Sequence, residues 1–397
     1  MKLCLLLFLL LFSCSSKGEE DSGVPSLLQQ KFIVEPNLKE RKVSVKADLS
    51  LRCGNRPLSQ FYVYLTSAAE LKNVSSSERQ LSWEPRPAFI PFFNAVSVNL
   101  RNQIKPGETF RISLHYVIKQ EAKQTGLGAL SMCIEPEFAY LFESWIPSVQ
   151  PLLDNDGFVQ KVPKAPFELK ILVEPSLTGL STGVSGPSHL EGGKRIFCYS
   201  SEEAPPLLIP LVIGRFKVTH FPNLEIPIEV YAKERAPSAF RDFVAFVAKA
   251  ALIQARVLER KPPKLIRIVF LDTGGLARGF PTLLVLPPSM LQDWWDAGVR
   301  VTLCHELSHR YFGNLVTAYG PGGNEFLAEG LATYMGIKTV GLIQGKEVEL
   351  KLWQLHKETF FTSKTEDIPI TQIRPMQNVL SGEVYVKGAL VLNELSR

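Results

Sequence analysis

The chain has 397 residues, enough for two domains with separate cores, and its 45% hydrophobic and 21% charged content is that of an ordinary globular protein. A net charge of +5 over this length, with no dense Lys/Arg block, argues against a nucleic-acid partner.

The N-terminus reads as an export signal. Met1-Lys2 is a short basic start, Leu3 to Phe12 is an almost unbroken apolar run, and Ser13-Cys14 closes it. Such a run is too short to remain in a bilayer as a permanent helix. Ser13 directly before Cys14 resembles the lipobox of bacterial lipoproteins, whose cysteine is lipidated and becomes the new N-terminus, although Phe12 is bulkier than usual there. The alternative is a plain signal peptide with an incidental cysteine. On this reading residues 1–14 are the signal, 15–30 a polar flexible tether, 31–222 a β domain and 223–397 a second domain. The product is expected to be exported and held at a bacterial membrane by lipid on Cys14, facing the periplasm or the cell surface. No other segment reads as long and apolar enough to span.

From Lys31 to Phe221 short alternating runs are broken by Pro and Gly. Val43, Val45, Ala47, Leu49 and Leu51 alternate with polar residues, as do Phe110, Ile112, Leu114, Tyr116 and Ile118. FELKILVEP (Phe167 to Pro175) and LLIPLVIGRFKV (Leu207 to Val218) read the same way, which predicts an all-β region with one buried face per strand. Ser238 then stands where it can cap a long helix to about Arg260, which Pro262-Pro263 stop. LIRIVFL (Leu265 to Leu271) and LLVL (Leu283 to Leu286) are expected strands, and beyond them the chain is mostly helical. The pair Trp294-Trp295 is core or a cleft wall, with core the simpler reading. Cys53, Cys133, Cys198 and Cys304 lack C-x-x-C spacing, so they are not a zinc ribbon; disulfides and free thiols both stay open.

The chemistry concentrates in LCHELSHRYFGNLVT, Leu303 to Thr317. A helix ending near Gly313 would place His305 and His309 one turn apart on one face. Imidazoles at that spacing converge on one zinc ion, and Glu306 sits beside the metal without binding it, placed to take a proton from water activated there. A third ligand is needed, and Glu325 and Glu329 follow on an expected helix (Asn324 to Met335). Glu329, followed by Gly330, is the better candidate, because residues 310–328 leave room for a turn at the Gly-Pro-Gly-Gly stretch and a return helix. Glu325 is then a substrate-facing or supporting group.

His305-Glu306-Leu307-Ser308-His309, Tyr311-Phe312-Gly313-Asn314-Leu315-Val316-Thr317 and Ala328-Glu329-Gly330 together resemble the gluzincin metallopeptidases of the aminopeptidase N family. Tyr385-Val386-Lys387-Gly388 matches that family's Y-x-K-G segment, and SWIPS, APFELKILVEP, IGRFKV and EIPIEVYAKE resemble its N-terminal β domain. The resemblance implies a saddle- or sandwich-like all-β domain followed by a thermolysin-like, mainly helical α/β domain. It implies one zinc per chain on His305, His309 and Glu329, Glu306 as general base, and Tyr385 as donor to the oxyanion of a peptide or protein substrate.

Three departures qualify that expectation. The spacer before Glu329 is one residue longer than usual in the family. Where its G-x-M-E-N segment should offer a glutamate to the substrate amine, GGLARGFPTLLVLP (Gly274 to Pro287) offers Arg278, although Leu283 to Leu286 could still pair with a peptide by edge addition. The chain stops soon after Tyr385, where the family continues with further helices, so the second domain is expected to be incomplete. Two other functions compete with a peptidase: an impaired homologue that serves as a binding protein, and a hydrolase of non-peptide amides or epoxides on the same zinc site.

Overall fold

The computed structural model describes residues 24–86, 93–120, 132–142, 145–150, 164–201, 208–234, 240–317, 326–362, 369 and 383–396. They gather into two compact units that divide between Arg215 and Phe216.

The first unit is built from strands. β1 (Ser26–Asn37) and β2 (Lys42–Arg52) form a long antiparallel pair. Around it an eight-stranded sheet includes β3 (Ala69–Ser75), β4 (Thr109–Lys119), β5 (Phe167–Val173) and β6 (Lys194–Ser200), with the short strands Val184–Ser185 and His189–Glu191 on β6. Leu58–Thr66, Phe93–Ile104 and Leu81–Arg86 form a three-stranded sheet. Met132–Ile134, Phe138–Leu141, Thr178–Leu180 and Leu211–Gly214 form a four-stranded one.

The alternation read from sequence sets which face is buried. In β2 the residues Val43, Val45, Ala47, Leu49 and Leu51 are all at most 1% exposed, and β4 repeats the pattern opposite them. Burying each large side chain is worth about 1.5–3 kcal/mol. Trp145 sits at the centre with both polar ends used: its indole N–H donates to the Ile209 carbonyl at 2.6 Å, and Tyr116 donates to the Trp145 carbonyl at 2.7 Å. The four cysteines Cys53, Cys133, Cys198 and Cys304 are free thiols.

The stretch Leu207 to Val218 is not one alternating strand. It breaks at Arg215-Phe216 into Leu211–Gly214, buried on both faces, and Lys217–Phe221, which belongs to the other unit. A short apolar run carries no period of its own, so a break inside it leaves no mark in the pattern.

The second unit holds a five-stranded sheet in the order Lys217–Phe221, Ile228–Ala232, Ile266–Phe270, Leu283–Leu286, Arg278–Gly279. Its helices are α1 (Phe240–Val257), the short α2 (Ser289–Gln292), α3 (Ala297–Ser308), α4 (Leu331–Gln344), α5 (Lys346–Thr362) and α6 (Gly388–Leu395). A single π turn precedes α4 at Phe326–Gly330, and another precedes α6 at Glu383–Lys387. Phe326–Gln344 is in fact long and apolar enough to cross a membrane by length and composition, contrary to the sequence expectation. It is 56% buried within the protein, as a core helix is. Trp294 packs on Phe243 and Phe246, as a core residue would, whereas Trp295 is 63% exposed.

Candidate metal centre

α3 begins where Asp296 caps it, accepting from the N–H groups of Gly298 and Val299 at 2.8 and 3.1 Å. It stops at Ser308 rather than Gly313. The N–H groups of Tyr311 and Phe312 both return to the Ser308 carbonyl, at 2.9 and 3.0 Å, and Gly313 then turns the chain with φ at 93°. His309 nevertheless keeps helical backbone angles, and its N–H reaches the His305 carbonyl at 3.3 Å. The one-turn relation of the two imidazoles therefore survives the early end of the helix.

The return element is the π turn leading into α4, which carries Glu329. Its carboxylate Oε2 lies 3.0 Å from His305 Nε2 and 3.4 Å from His309 Nε2, and the two Nε2 atoms are 3.0 Å apart. Four ligands held tetrahedrally around zinc at about 2.0–2.1 Å stand about 3.3–3.4 Å from one another, so this triangle has the right size. Glu329 Oε2 is also buried with no hydrogen-bond partner, an orphan that a cation would satisfy. Among the described residues these three form the one group able to hold a metal ion.

Electrostatics agree with geometry. Burial pushes His309 down, but the facing Glu329 carboxylate, helped by Glu306 and the Phe312 carbonyl, raises it to about 9. Burial works against charge on Glu329 too, yet His309 and His305 hold it well below the ordinary carboxylate range. The three groups call for positive charge between them. His309 Nδ1 faces the Phe312 carbonyl at 3.1 Å, which can only accept, so Nδ1 carries a proton and Nε2 is the nitrogen turned to a metal.

Neighbouring elements hold α3 from two sides. Gln254 of α1, 1% exposed, donates to the Cys304 carbonyl at 2.7 Å and to the Ser308 hydroxyl at 2.9 Å. Cys304 itself is fully buried, and burial pushes its thiol far up, so it is inert packing. Arg310 donates to the Pro281 carbonyl at 2.7 Å, tying the end of α3 to the sheet. At Gly279 a Cβ would fall 1.9 Å from the Glu306 carbonyl, so the strand Arg278–Gly279 rides directly on the metal helix.

That strand, and not Leu283 to Leu286, is the sheet edge. Leu283–Leu286 is paired on both sides, parallel to Ile266–Phe270 and antiparallel to Arg278–Gly279, so it has no edge to offer a peptide. Arg278 therefore lies on the edge strand, next to the residue that touches Glu306, and its Nε is buried without a hydrogen-bond partner.

Glu306 is buried beside the two histidines, 7% exposed. Tyr385 sits in the π turn before α6, with its ring centre 5.7 Å from that of His305. The two π turns meet at glycines: a Cβ on Gly388 would lie 3.1 Å from Gly330 Cα, and one on Gly330 would lie 3.2 Å from Gly388 Cα. Backbone thus comes close to backbone immediately after Glu329 and shortly after Tyr385, which fixes these two residues relative to each other. Glu325 and Cys14 lie outside the described residues. Sequence reasoning missed Gln254, Thr333 and the Gly330–Gly388 contact; Gln254 and Thr333 look like ordinary helix residues until the helices they touch are known.

Residues 273–397 match the Peptidase family M1 domain. Two yeast (Saccharomyces cerevisiae) proteins are similar over 59% of this chain at 25% identity: Aminopeptidase 2, mitochondrial, and Alanine/arginine aminopeptidase. The matched regions make up only 26% and 29% of those relatives, so the chain spans less than a third of their length. The chain is thus similar to the aminopeptidase N-like gluzincins, with the family match confined to residues 273–397. Among solved structures, an M1 zinc metallopeptidase from Deinococcus radiodurans superposes with TM-score 0.69 at 18% identity, covering 93% of this chain and 81% of that one. A mutant of that protein bound to a Tyr-Ser-Ala substrate gives TM-score 0.68 at 17% identity, covering 93% and 82%. The M1 fold thus extends across both units, a β unit followed by a helical one. His305, His309 and Glu329 form a group suited to a zinc ion.

Proposed function

We propose that the chain is a zinc metallopeptidase that hydrolyses peptide bonds. The observation that carries this is the triangle of His305 Nε2, His309 Nε2 and Glu329 Oε2, 3.0–3.4 Å on a side, with the buried Glu306 one residue from His305. A zinc ion held by those three side chains supplies a Lewis acid that acidifies water and polarises a carbonyl. Glu306 takes the proton from the attacking water and delivers it to the amine nitrogen as the C–N bond breaks. Tyr385 donates its phenolic proton in a hydrogen bond to the developing oxyanion. Arg278–Gly279 offers an extended peptide an unpaired edge beside Glu306.

The substrate's free amine has no carboxylate at Arg278, so the activity is aminopeptidase-like in its centre but not in its amine anchor. Glu325 is the nearest replacement along the chain. The protein is exported and held at a membrane by lipid on Cys14; Cys14→Ala should move it from the membrane to the soluble fraction or stall its processing, and a mutant that is cleaved normally yet stays on the membrane would refute the anchor.

Zinc content of the purified mature protein tests the central reading. About one zinc per chain is expected. Glu329→Gln should lose most of it while Glu325→Gln keeps it, and the reverse pattern would make Glu325 the third ligand.

A further inference from the structure

We infer that Thr333 is a positioning residue for the metal: its hydroxyl, accepting from His305 Nδ1–H, holds that ring with Nε2 turned to the ion. The inference rests on the zinc reading above and adds a residue to it. His305 Nδ1 lies 3.0 Å from Thr333 Oγ1 in a buried contact, and Thr333 is 5% exposed. Nε2 of the same ring stands 3.0 Å from Glu329 Oε2 and 3.0 Å from His309 Nε2. A neutral imidazole carries one proton. With that proton on Nδ1, donated to Thr333, the Nε2 lone pair faces the place where the three donors converge. With the proton on Nε2, the ring could not ligate there.

The arrangement is built by one helix face. Glu329, Thr333 and Gly336 are spaced i, i+4, i+7, so successive turns bring them to the same side. Glu329 faces Nε2 and Thr333 faces Nδ1. Gly336 lets the helices close up: a Cβ there would come within 2.9 Å of the Val301 carbonyl and 3.2 Å of the His305 backbone nitrogen. The π turn and α4 that continues it thus hold both nitrogens of His305, while α4 rests on its backbone. His309 is handled differently, since its Nδ1 is held by the Phe312 carbonyl of its own chain turn. Only His305 depends on a side-chain hydroxyl for its tautomer, and a hydroxyl can be removed by substitution where a carbonyl cannot.

The test measures zinc affinity by competition with a chelator, a readout independent of turnover. Wild type, Thr333→Val, Thr333→Ser and Thr339→Val are compared. Thr339 is a fully buried threonine further along the same helix whose hydroxyl has no hydrogen-bond partner, so it controls for burial and helix propensity. Loss of a ligand's hydrogen-bond partner typically costs about 10–100-fold in metal affinity. Thr333→Val should lose that much, Thr333→Ser should restore most of it, and Thr339→Val should bind as wild type. If valine prevents folding, shown by loss of the far-UV spectrum, Thr333→Ala replaces it with the same expectation. Equal affinity in Thr333→Val and wild type would overturn the inference and leave the zinc site standing. An equal loss in Thr333→Val, Thr333→Ser and Thr339→Val would overturn it too, as a general packing effect. A wild type that binds no zinc would overturn the zinc reading and this inference together.

Discussion

The two units bury different things. Among the described residues up to Arg215 the buried polar ones are Gln30, Ser97, Ser148, Ser181 and Thr182, all uncharged, scattered among strands whose inward faces are apolar. From Phe216 onward the buried set includes Arg267, His305, Glu306 and Glu349, together with Gln254, Ser308 and Thr333 around the metal helix. A buried ionisable group costs several kcal/mol unless it is paired, so a fold keeps such groups where they pair or act. The first unit's buried polarity is uncharged, whereas the second gathers buried polar groups around α3 and pairs its other buried charges, Arg267 with Glu229 and Glu349 with two lysines. Substitutions in the first should therefore cost stability and spare chemistry; those around α3 should do the opposite.

The largest expected effect is in the β unit. Phe110 is 1% exposed and packs edge-on to Phe61 with ring centres 5.7 Å apart. Phe110→Ala should cost about 3–5 kcal/mol in chemical denaturation, with zinc per folded chain unchanged. A loss of zinc in the folded fraction would break the comparison.

Next come the groups proposed to be catalytic. Glu306→Gln and Tyr385→Phe keep the three ligands, so zinc should remain bound while kcat falls about 10²–10³-fold, or roughly 2.7–4 kcal/mol. Unfolding midpoints should barely move. Full peptidase activity in Glu306→Gln would exclude Glu306 as the base.

How much of this could be read from sequence follows the same division. Strands such as Val43 to Leu51 announce themselves because a period of two is local and each residue carries its own evidence. His305, Glu306 and His309 are legible for the corresponding reason, being three chemical groups on one turn of helix. Glu329 needed a judgement about chain return, and Tyr385, one tyrosine among ten, was found only through resemblance. Thr333 and Gln254 were invisible, because their roles are set by which helix packs on which. The expectation that Leu283 to Leu286 is a free edge fails because strand order in a sheet is not a property of any one strand.

A smaller effect tests whether every buried charge in the second unit belongs to the metal centre. Glu349 of α5 is 7% exposed and accepts from Lys338 at 2.7 Å, Lys346 at 3.0 Å and the Trp353 indole at 3.3 Å. Burial raises its carboxyl, but the two lysines and the indole outweigh it and lower the carboxyl below its ordinary 4.5. A depressed carboxyl contributes stability above its unfolded value and loses it as pH falls through the folded one, so the loss should begin below about pH 4.5. Glu349→Gln should cost about 1.5–3 kcal/mol at neutral pH and flatten the acid limb of the stability curve. Zinc binding should be unchanged, and a coupled loss of zinc would join Glu349 to the site.

The smallest expected effect concerns the substrate's N-terminus. A peptidase that removes single N-terminal residues needs an anion for the ammonium group, because an unpaired charge in a closed cleft is costly. On the edge strand beside Glu306 this chain places Arg278, a cation, and no carboxylate. A free ammonium there meets like charge, so neutralising it should remove little favourable binding. Acetylating the N-terminus of a cleaved peptide is therefore expected to lower kcat/KM less than tenfold, about 1.4 kcal/mol or less. Arg278→Glu should reverse the preference, raising kcat/KM for the free amine relative to the acetylated peptide. A hundredfold loss on acetylation in the wild type would place an anion elsewhere in the cleft. Repeating the measurement on Glu325→Gln would then decide whether that anion is Glu325: if so, the penalty for acetylation should disappear in that variant, and its persistence would rule Glu325 out.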